Sequence, residues 1–254
     1  PPRSTLFPYT TLFRSPFTWS QSVNQKDTQG RKQGAWQKTY PKSRAFEYKG
    51  QFKDDKPVGT FTYYYPSTKV KAVIKHDEKT GRSAAVMYHE NGVLMAKGIF
   101  RNQEKDSIWE YYGPSGRLST KETYSKGKLN GNQTVYYVFD DPNDKRVVVA
   151  KVTPYKMGVI HGDVIEYFDT NVIKSKVTYV NGKKEGIAVT NHPNGKPMIT
   201  ERYKNGIQHG WQSAHDQSGK ETGKQYHRFG KRIEGKELEK YLKQLKDKGI
   251  NPND

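Results

Sequence analysis

Seven histidines and one acidic stretch are the residues of this 254-residue chain whose types could do chemistry. The histidines are His76, His89, His161, His192, His209, His215 and His227, and the acidic stretch holds Asp140, Asp141 and Asp144. Imidazoles could ligate zinc or move protons, and clustered carboxylates could ligate calcium. Neither group has the spacing its chemistry needs. His161 and His209 hold equivalent places two repeat units apart, which at about 4.8 Å per strand separates them by about 20 Å. A shared zinc requires ligand atoms within about 2 Å of the metal, so both are expected to be turn residues. The acidic stretch lacks the alternating ligands, central glycine and distal glutamate of a calcium loop, and Asp-Pro-Asn is ordinary turn chemistry. There is no Gly-x-Ser-x-Gly, no Walker loop and no His-Glu-x-x-His. Ser213 and His215 share a face only because strands have period two. The absence of cysteine removes thiolate metal sites, cysteine nucleophiles and disulfides. The sequence predicts a protein that is not an enzyme, with no catalytic, metal-ligating or cofactor-binding residues and no cofactor.

The elements that carry these residues repeat. Units start at Gly34, Gly59, Ser83, Ser107, Gly131, Gly162, Gly186 and Gly210, at spacings of 25, 24, 24, 24, 31, 24 and 24 residues. Five places after the start come Tyr64, Tyr88, Tyr112, Tyr136 and Tyr167. A second column near the end of the unit reads Phe100, Tyr124, Tyr155, Tyr179 and Tyr203, followed three residues on by Gly127, Gly158, Gly182 and Gly206 in the later units. A fixed period of this length marks a repeat array. In the unit from Ser107, a strand is expected over 108–112, a turn at Gly113-Pro114-Ser115-Gly116, and a second strand over 118–124. Asn-Gly pairs at 91–92, 181–182, 194–195 and 205–206 are hairpin signals. The fold class that follows is all-β: an elongated antiparallel meander of about eight 24-residue β-hairpin repeats, with a short C-terminal α-helix. A hairpin cannot bury its apolar face alone, so the tyrosine columns are expected to form the core of the array. A ladder for stacking ligands is the alternative, and it requires exposed ring faces.

Boundaries follow from the same period. Residues 1–15 contain TLFPYTTLFRS, which reads as the translation of a sequencing-library adapter and stands outside the repeat frame. That reading puts the natural N-terminus outside the sequence and leaves envelope, secreted and cytoplasmic locations open. Residues 16–33 form a lead-in, 34–235 the repeat array, and 236–254 a capping helix and tail. The seven extra residues of the unit from Gly131 fall in a hairpin tip between Phe139 and Arg146. Insertions in repeats map to loops that often carry function, so Asp140, Asp141, Asn143, Asp144, Lys145 and Arg146 form the candidate interaction loop. In the last segment, Leu238, Tyr241, Leu242 and Leu245 lie on one face at helical spacing. This helix is expected to cover the last hairpin, with a basic membrane-surface helix as the competing role.

Composition bounds the partners. Only 32% of residues are hydrophobic, against about 45–50% apolar in average soluble domains, yet aromatics reach 13%. A thin sheet that buries tyrosine rings fits that balance better than a thick core. The formal charge is +18, or +16 without Arg3 and Arg14. Such a charge suits anionic lipid or another polyanion, but lysines spread over every unit also read as a plain solvated surface and argue against a specific nucleic-acid partner. No apolar run is long enough for a transmembrane helix.

The units resemble the bacterial variant of MORN repeats, the type carried by YwqK-family antitoxins of toxin–antitoxin systems. Tyr124-Ser125-Lys126-Gly127-Lys128-Leu129-Asn130-Gly131, Tyr179 to Gly186, Tyr203 to Trp211 and Gln33-Gly34-Ala35-Trp36 carry the resemblance through the pattern Tyr-x-x-Gly-x-x-x-Gly. It spans roughly residues 25–232. Ser83 and Ser107 depart from it, as does the long tip. The resemblance implies an elongated hairpin sheet without catalytic residues, and roles in scaffolding, protein binding or lipid contact. The leading expectation is a scaffold for a protein partner. Antitoxin activity against a neighbouring toxin and binding of anionic lipid or a polyanion are the alternatives.

Overall fold

The fold is taken from a computed structural model that describes residues 22–141 and 143–253. The segment read as adapter-derived lies outside the described residues. Twenty strands among the described residues join one antiparallel sheet in which each strand pairs with the one before it, save that Gly162–Tyr167 and Gly210–His215 continue the short strands Val159–Ile160 and Ile207–Gln208, and one helix follows at Gly235–Asp247. The array is therefore a meander one layer thick.

Most units differ from the simple hairpin in one respect. In the unit from Ser107 the first strand runs over Glu104–Tyr112 and the second over Leu118–Ser125. The unit start lies inside the first strand, where the register jumps: Lys97 pairs with Glu110, but Ile99 pairs with Asp106. This bulge needs a left-handed residue, and glycine supplies it at Gly59, Gly131, Gly162, Gly186 and Gly210. Ser107 adopts the same conformation at φ 61° without being glycine. Ser83 does not. There the ladder runs unbroken through His76 with Ser83 and Asp77 with Arg82, and the positive φ moves into the turn at Gly81.

The two serines should therefore respond oppositely to glycine. Ser107→Gly is expected to be about 1 kcal/mol more stable than Ser107→Ala, because alanine keeps the left-handed strain. At position 83 the order should reverse, with Ser83→Gly less stable than Ser83→Ala by about 0.5–1 kcal/mol. Urea midpoints of the four variants check this.

The tightest packing lies in a column that residue identity conceals. Two places after the unit starts stand Phe61, Ala85, Trp109, Val164 and Ala188, all buried. Each packs against the residue eleven places earlier, and the sizes compensate. A Cβ added to Gly50 would overlap the Phe61 ring, and one added to Gly98 would overlap Trp109. Where the later residue is small, the earlier one is large: Ile74 pairs with Ala85, and Val177 with Ala188. In the unit from Gly131 the pair is polar, with Gln133 Nε2 donating to Glu122 Oε1 at 2.8 Å.

Strand alternation places Trp109, Tyr111, Glu122 and Tyr124 on one face, and Glu110 and Tyr112 on the other with Lys97 and Lys121. The two tyrosine columns thus line opposite faces. Tyr64, Tyr88, Tyr112, Tyr136, Tyr167, Phe100, Tyr124, Tyr155, Tyr179 and Tyr203 are all half-buried, so the closed core expected of them is supplied by the size-matched column. A sheet one layer thick leaves both faces part-solvated, and side chains there can only half bury themselves.

The helix lies against the face of the last hairpin rather than along its edge. Tyr226 of the strand Glu221–Arg228 is fully buried, with its ring 5.2 Å from Trp211 and 5.9 Å from Tyr241 of the helix. The edge itself is the short strand Lys231–Ile233, whose brevity and charge discourage pairing with another chain.

Candidate interaction surfaces

The inserted tip lies where the sequence places it, between the strands Lys128–Tyr136 and Val149–Lys156. It is tied down rather than free. Both terminal nitrogens of Arg117, in the preceding hairpin, donate to the tip, to the carbonyls of Asp144 and Asp141. Asp144 pairs with Arg146 at 2.7 Å, and that guanidinium pulls its pKa down to about 2. Arg146 also lies 4.4 Å over the Phe139 ring. Asp140, Asp141, Asn143, Lys145 and Arg146 are exposed, and so are Val138 and Val147. Apolar side chains facing water beside a braced loop make the tip a surface suited to contact.

Bracing of this kind recurs. Six places after the unit start, in the units from Gly34, Gly59, Ser83, Gly131 and Gly186, a side chain reaches the backbone carbonyl of the next unit's first-column residue. Tyr40 donates to Tyr64 at 2.6 Å, Tyr65 to Tyr88 at 2.8 Å, and Tyr137 to Tyr167 at 2.7 Å. His89 and His192 make the same bond from Nε2, both at 2.8 Å. The unit from Ser107 has Gly113 at this place and makes no such bond, and there Arg117 ties the neighbouring tip instead.

One place before the start, another column receives the N–H of the next turn. Asn130 Oδ1 accepts from Met157, His161 Nδ1 from Asn181, Glu185 Oε2 from Asn205, and His209 Nδ1 from Phe229. The equivalent histidines, expected as turn residues, stand instead at the strand bulges just before Gly162 and Gly210, and their side chains cap turns of the following unit. Burial pushes the pKa of His209 down. Both columns escaped sequence reasoning because tyrosine and histidine, or asparagine, glutamate and histidine, serve the same bond. A search by chemical role at fixed offsets would have found them.

The face opposite the ring clusters carries charge. Glu110 accepts from Lys97 at 2.9 Å, Lys121 at 3.0 Å and the Tyr112 hydroxyl at 2.8 Å, and these donors pull its pKa to about 2 from an ordinary 4.5. The folded value lies below the unfolded one. The stabilisation is therefore complete above about pH 4.5 and disappears as the pH falls through about 2. Glu110→Gln is expected to lose less stability than the wild type between pH 5 and pH 2.5, read from denaturation midpoints.

The bulge-free junction at Ser83 creates a second surface. Most neighbouring turns are two-residue turns with left-handed residues, such as Asp54-Asp55, Asn102-Gln103 and Lys126-Gly127. At this junction the residues not used in a bulge lengthen the turn to Glu78–Gly81, which projects beside the turn Lys53–Lys56. Between them opens a cleft of about 840 Å³. Its floor includes Tyr63, Ile74, His76 and Phe100 from the ring-bearing face, and its rim carries Lys53, Lys56 and Arg82. His76 holds the second-column position, edge-on to Phe61 at 5.3 Å and bonded through Nδ1 to Ser83 Oγ at 2.8 Å. Ser83 in place of glycine, with Gly81 two residues earlier, was the available sequence signal for this cleft.

Residues 160–181 and 184–205 match the family model described as the MORN repeat variant. The matched stretches overlap the units from Gly162 and Gly186, which are thus two MORN-type repeats within the antiparallel hairpin sheet. A search of curated proteins returns no match.

Proposed function

We propose that this chain is a non-catalytic repeat scaffold that binds a protein partner through the cleft at Ser83 and the braced tip at Phe139–Arg146. The observation that carries the reading is the cleft: one junction of a regular array abandons the bulge and exposes a ring-lined floor between two projecting turns. The MORN-type units support a binding scaffold, since such arrays act through the surface their stacked repeats present. A toxin neutralised by the array would be one such partner, and rescue of growth on co-expression is its direct assay.

Photo-crosslinking tests the proposal. A photoreactive residue at Gln103 on the cleft rim, or at Asn143 in the tip, is expected to yield a discrete protein adduct in cells of the source organism. The same residue at Lys71, outside both surfaces, should not. Adducts from none of the positions, or equally from all three, would overturn the reading.

The charge of +18 favours a second reading, in which the lysine-rich surface holds an anionic lipid or another polyanion. No helix among the described residues is long and apolar enough to cross a membrane, so contact with lipid would be peripheral or through strands. Binding to anionic liposomes that falls steeply between 50 and 300 mM salt is the expected result of this reading, and salt-insensitive binding would remove it.

A further inference from the structure

We infer that the turn edge of the last four hairpins receives an acidic amphipathic helix of a partner chain. This rests on the reading of the array as a protein scaffold and adds a third surface to the cleft and the tip. The turns Lys156–Val159, Val180–Lys183, Lys204–Ile207 and Arg228–Lys231 follow one another along one edge of the sheet. They expose Met157, Val159, Val180, Ile207 and Phe229, by 43–67% each. These side chains make a ridge rather than separate points, because Val159 Cγ1 and Ile207 Cγ2 lie beside Gly182 and Gly230, the glycines of the next turns along. Exposed apolar groups gathered in this way and rimmed by charge mark an interaction site. A bilayer is a competing occupant, but Val159 and Ile207 lie along the edge instead of projecting from it.

Charge separates these turns from the earlier ones on the same edge. Segments 53–56, 77–82 and 101–104 together hold five basic and five acidic residues. The turn 125–128 has two lysines, with Glu104 packed against its Gly127. The last four turns hold Lys156, Lys183, Lys204, Arg228 and Lys231, and no acid. Just beyond them, Glu234 is neutralised by Arg232 at 2.6 Å, and Glu185 is not paired with a base in this way. Five bases less Glu185 leave the ridge at +4, so an acidic segment is attracted and a basic one repelled. The backbone selects a helix. Gly158, Gly182, Gly206 and Gly230 donate their N–H groups to carbonyls just after the preceding turn, at 2.7–2.8 Å. The N–H of the residue before each is capped by Asn130, His161, Glu185 or His209. With these groups taken, the edge offers an extended chain no ladder, and it suits a segment whose own backbone is satisfied. The spacing agrees. Successive turns lie about 10 Å apart, and a helix rises about 10.5 Å per heptad. Four turns span about 30 Å, the length of a helix of about twenty residues.

The test uses the full chain, labelled with nitrogen-15, and an acetylated, amidated peptide of three Leu-Glu-Glu-Ala-Leu-Glu-Glu heptads. Saturable shifts at the amides of Gly158, Gly182, Gly206 and Gly230 are expected. A peptide with proline in its central heptad, which breaks the helix, should bind about tenfold more weakly. The double variant Ile207→Ser, Phe229→Ser should weaken the original peptide by about tenfold or more. The double variant Lys183→Ala, Lys231→Ala should weaken it about fivefold, the weight of two exposed ion pairs, and leave a peptide with glutamine for glutamate unaffected. All four side chains are exposed, so both variants keep their fold, and unchanged amide signals away from the edge verify that. No shifts, shifts centred on another surface, or equal binding of the glutamate, glutamine and proline peptides would overturn the inference. So would sedimentation with phosphatidylglycerol vesicles that is lost in the Ile207→Ser, Phe229→Ser variant, in the absence of peptide binding. A protein adduct at Gln103 or Asn143 together with unmoved edge glycines would overturn it while leaving the scaffold reading standing.

Discussion

Trp109→Ala is expected to destabilise the centre of the array by about 3–5 kcal/mol, and isoleucine at Gly98 is expected to return a large part of that loss. Trp109 is 1% exposed and lies directly over Gly98, with its indole Nε1 donating to the Ile99 carbonyl at 3.0 Å. Removing the ring leaves a cavity over a residue that has no side chain to fill it. Gly98→Ile alone should also destabilise, because the new side chain would overlap the ring. Glycine is not needed there for its backbone, since Gly98 does not have positive φ. Together the two changes reproduce the Ile74 and Ala85 arrangement found one unit earlier. The double variant should therefore lie well above the sum of the singles, with a coupling of about 1–3 kcal/mol. Repeat arrays can unfold in pieces, so hydrogen exchange in Leu94–Arg101 and Leu118–Ser125 should accompany denaturation. Additive single-variant effects would show that the size-matched pairs are not the packing unit.

Tyr226→Ala should be of similar size, about 3–5 kcal/mol, and should also release the C-terminal helix. Tyr226 is 0% exposed, touches Trp211 and Tyr241, and donates its hydroxyl to the Pro252 carbonyl at 2.6 Å. A 13-residue helix is marginal in water by itself, so its persistence depends on this docking. Tyr226→Phe removes only the hydroxyl bond and should cost about 1 kcal/mol, with the helix retained. Loss of the 222 nm signal and fast exchange over Gly235–Asp247 in the alanine variant alone would confirm the docking. Retained helix signal in Tyr226→Ala would place the helix's support elsewhere. The basic membrane-surface role fits this structure less well. Tyr241 and Leu245, on the apolar side of the helix, are already turned toward the protein, with Leu245 buried.

Much of the fold was legible because hairpin chemistry is local. Asn181-Gly182 and Asn205-Gly206 specify left-handed turns, and Gly127 and Gly158, three residues after Tyr124 and Tyr155, repeat the instruction. The seven-residue insertion could be assigned to one tip for the same reason. The bulges were less visible. A start glycine is compatible with either a strand end or a left-handed residue inside a strand, and only the register distinguishes them. The cleft was harder still. It depends on two serines that look alike in sequence, of which Ser107 is held left-handed and bonded to Arg82 and Asp106, while Ser83 is left in an ordinary strand.

By itself the sequence determined the period, the hairpins, the tip and the apolar side of the helix, because each depends on residues a few places apart. The tertiary structure decided which side chains close the core, because that depends on the summed volume of two residues eleven places apart rather than on either identity. It also decided that the tyrosine columns face opposite ways, since each second-column ring pairs with a unit-start residue, and the first-column tyrosine stands five places, an odd number, beyond that start. The turn-capping role of His161 and His209 and the cleft at Ser83 belong to the same class. Both arise only when one hairpin is laid against the next, and no single unit contains the groups that meet there.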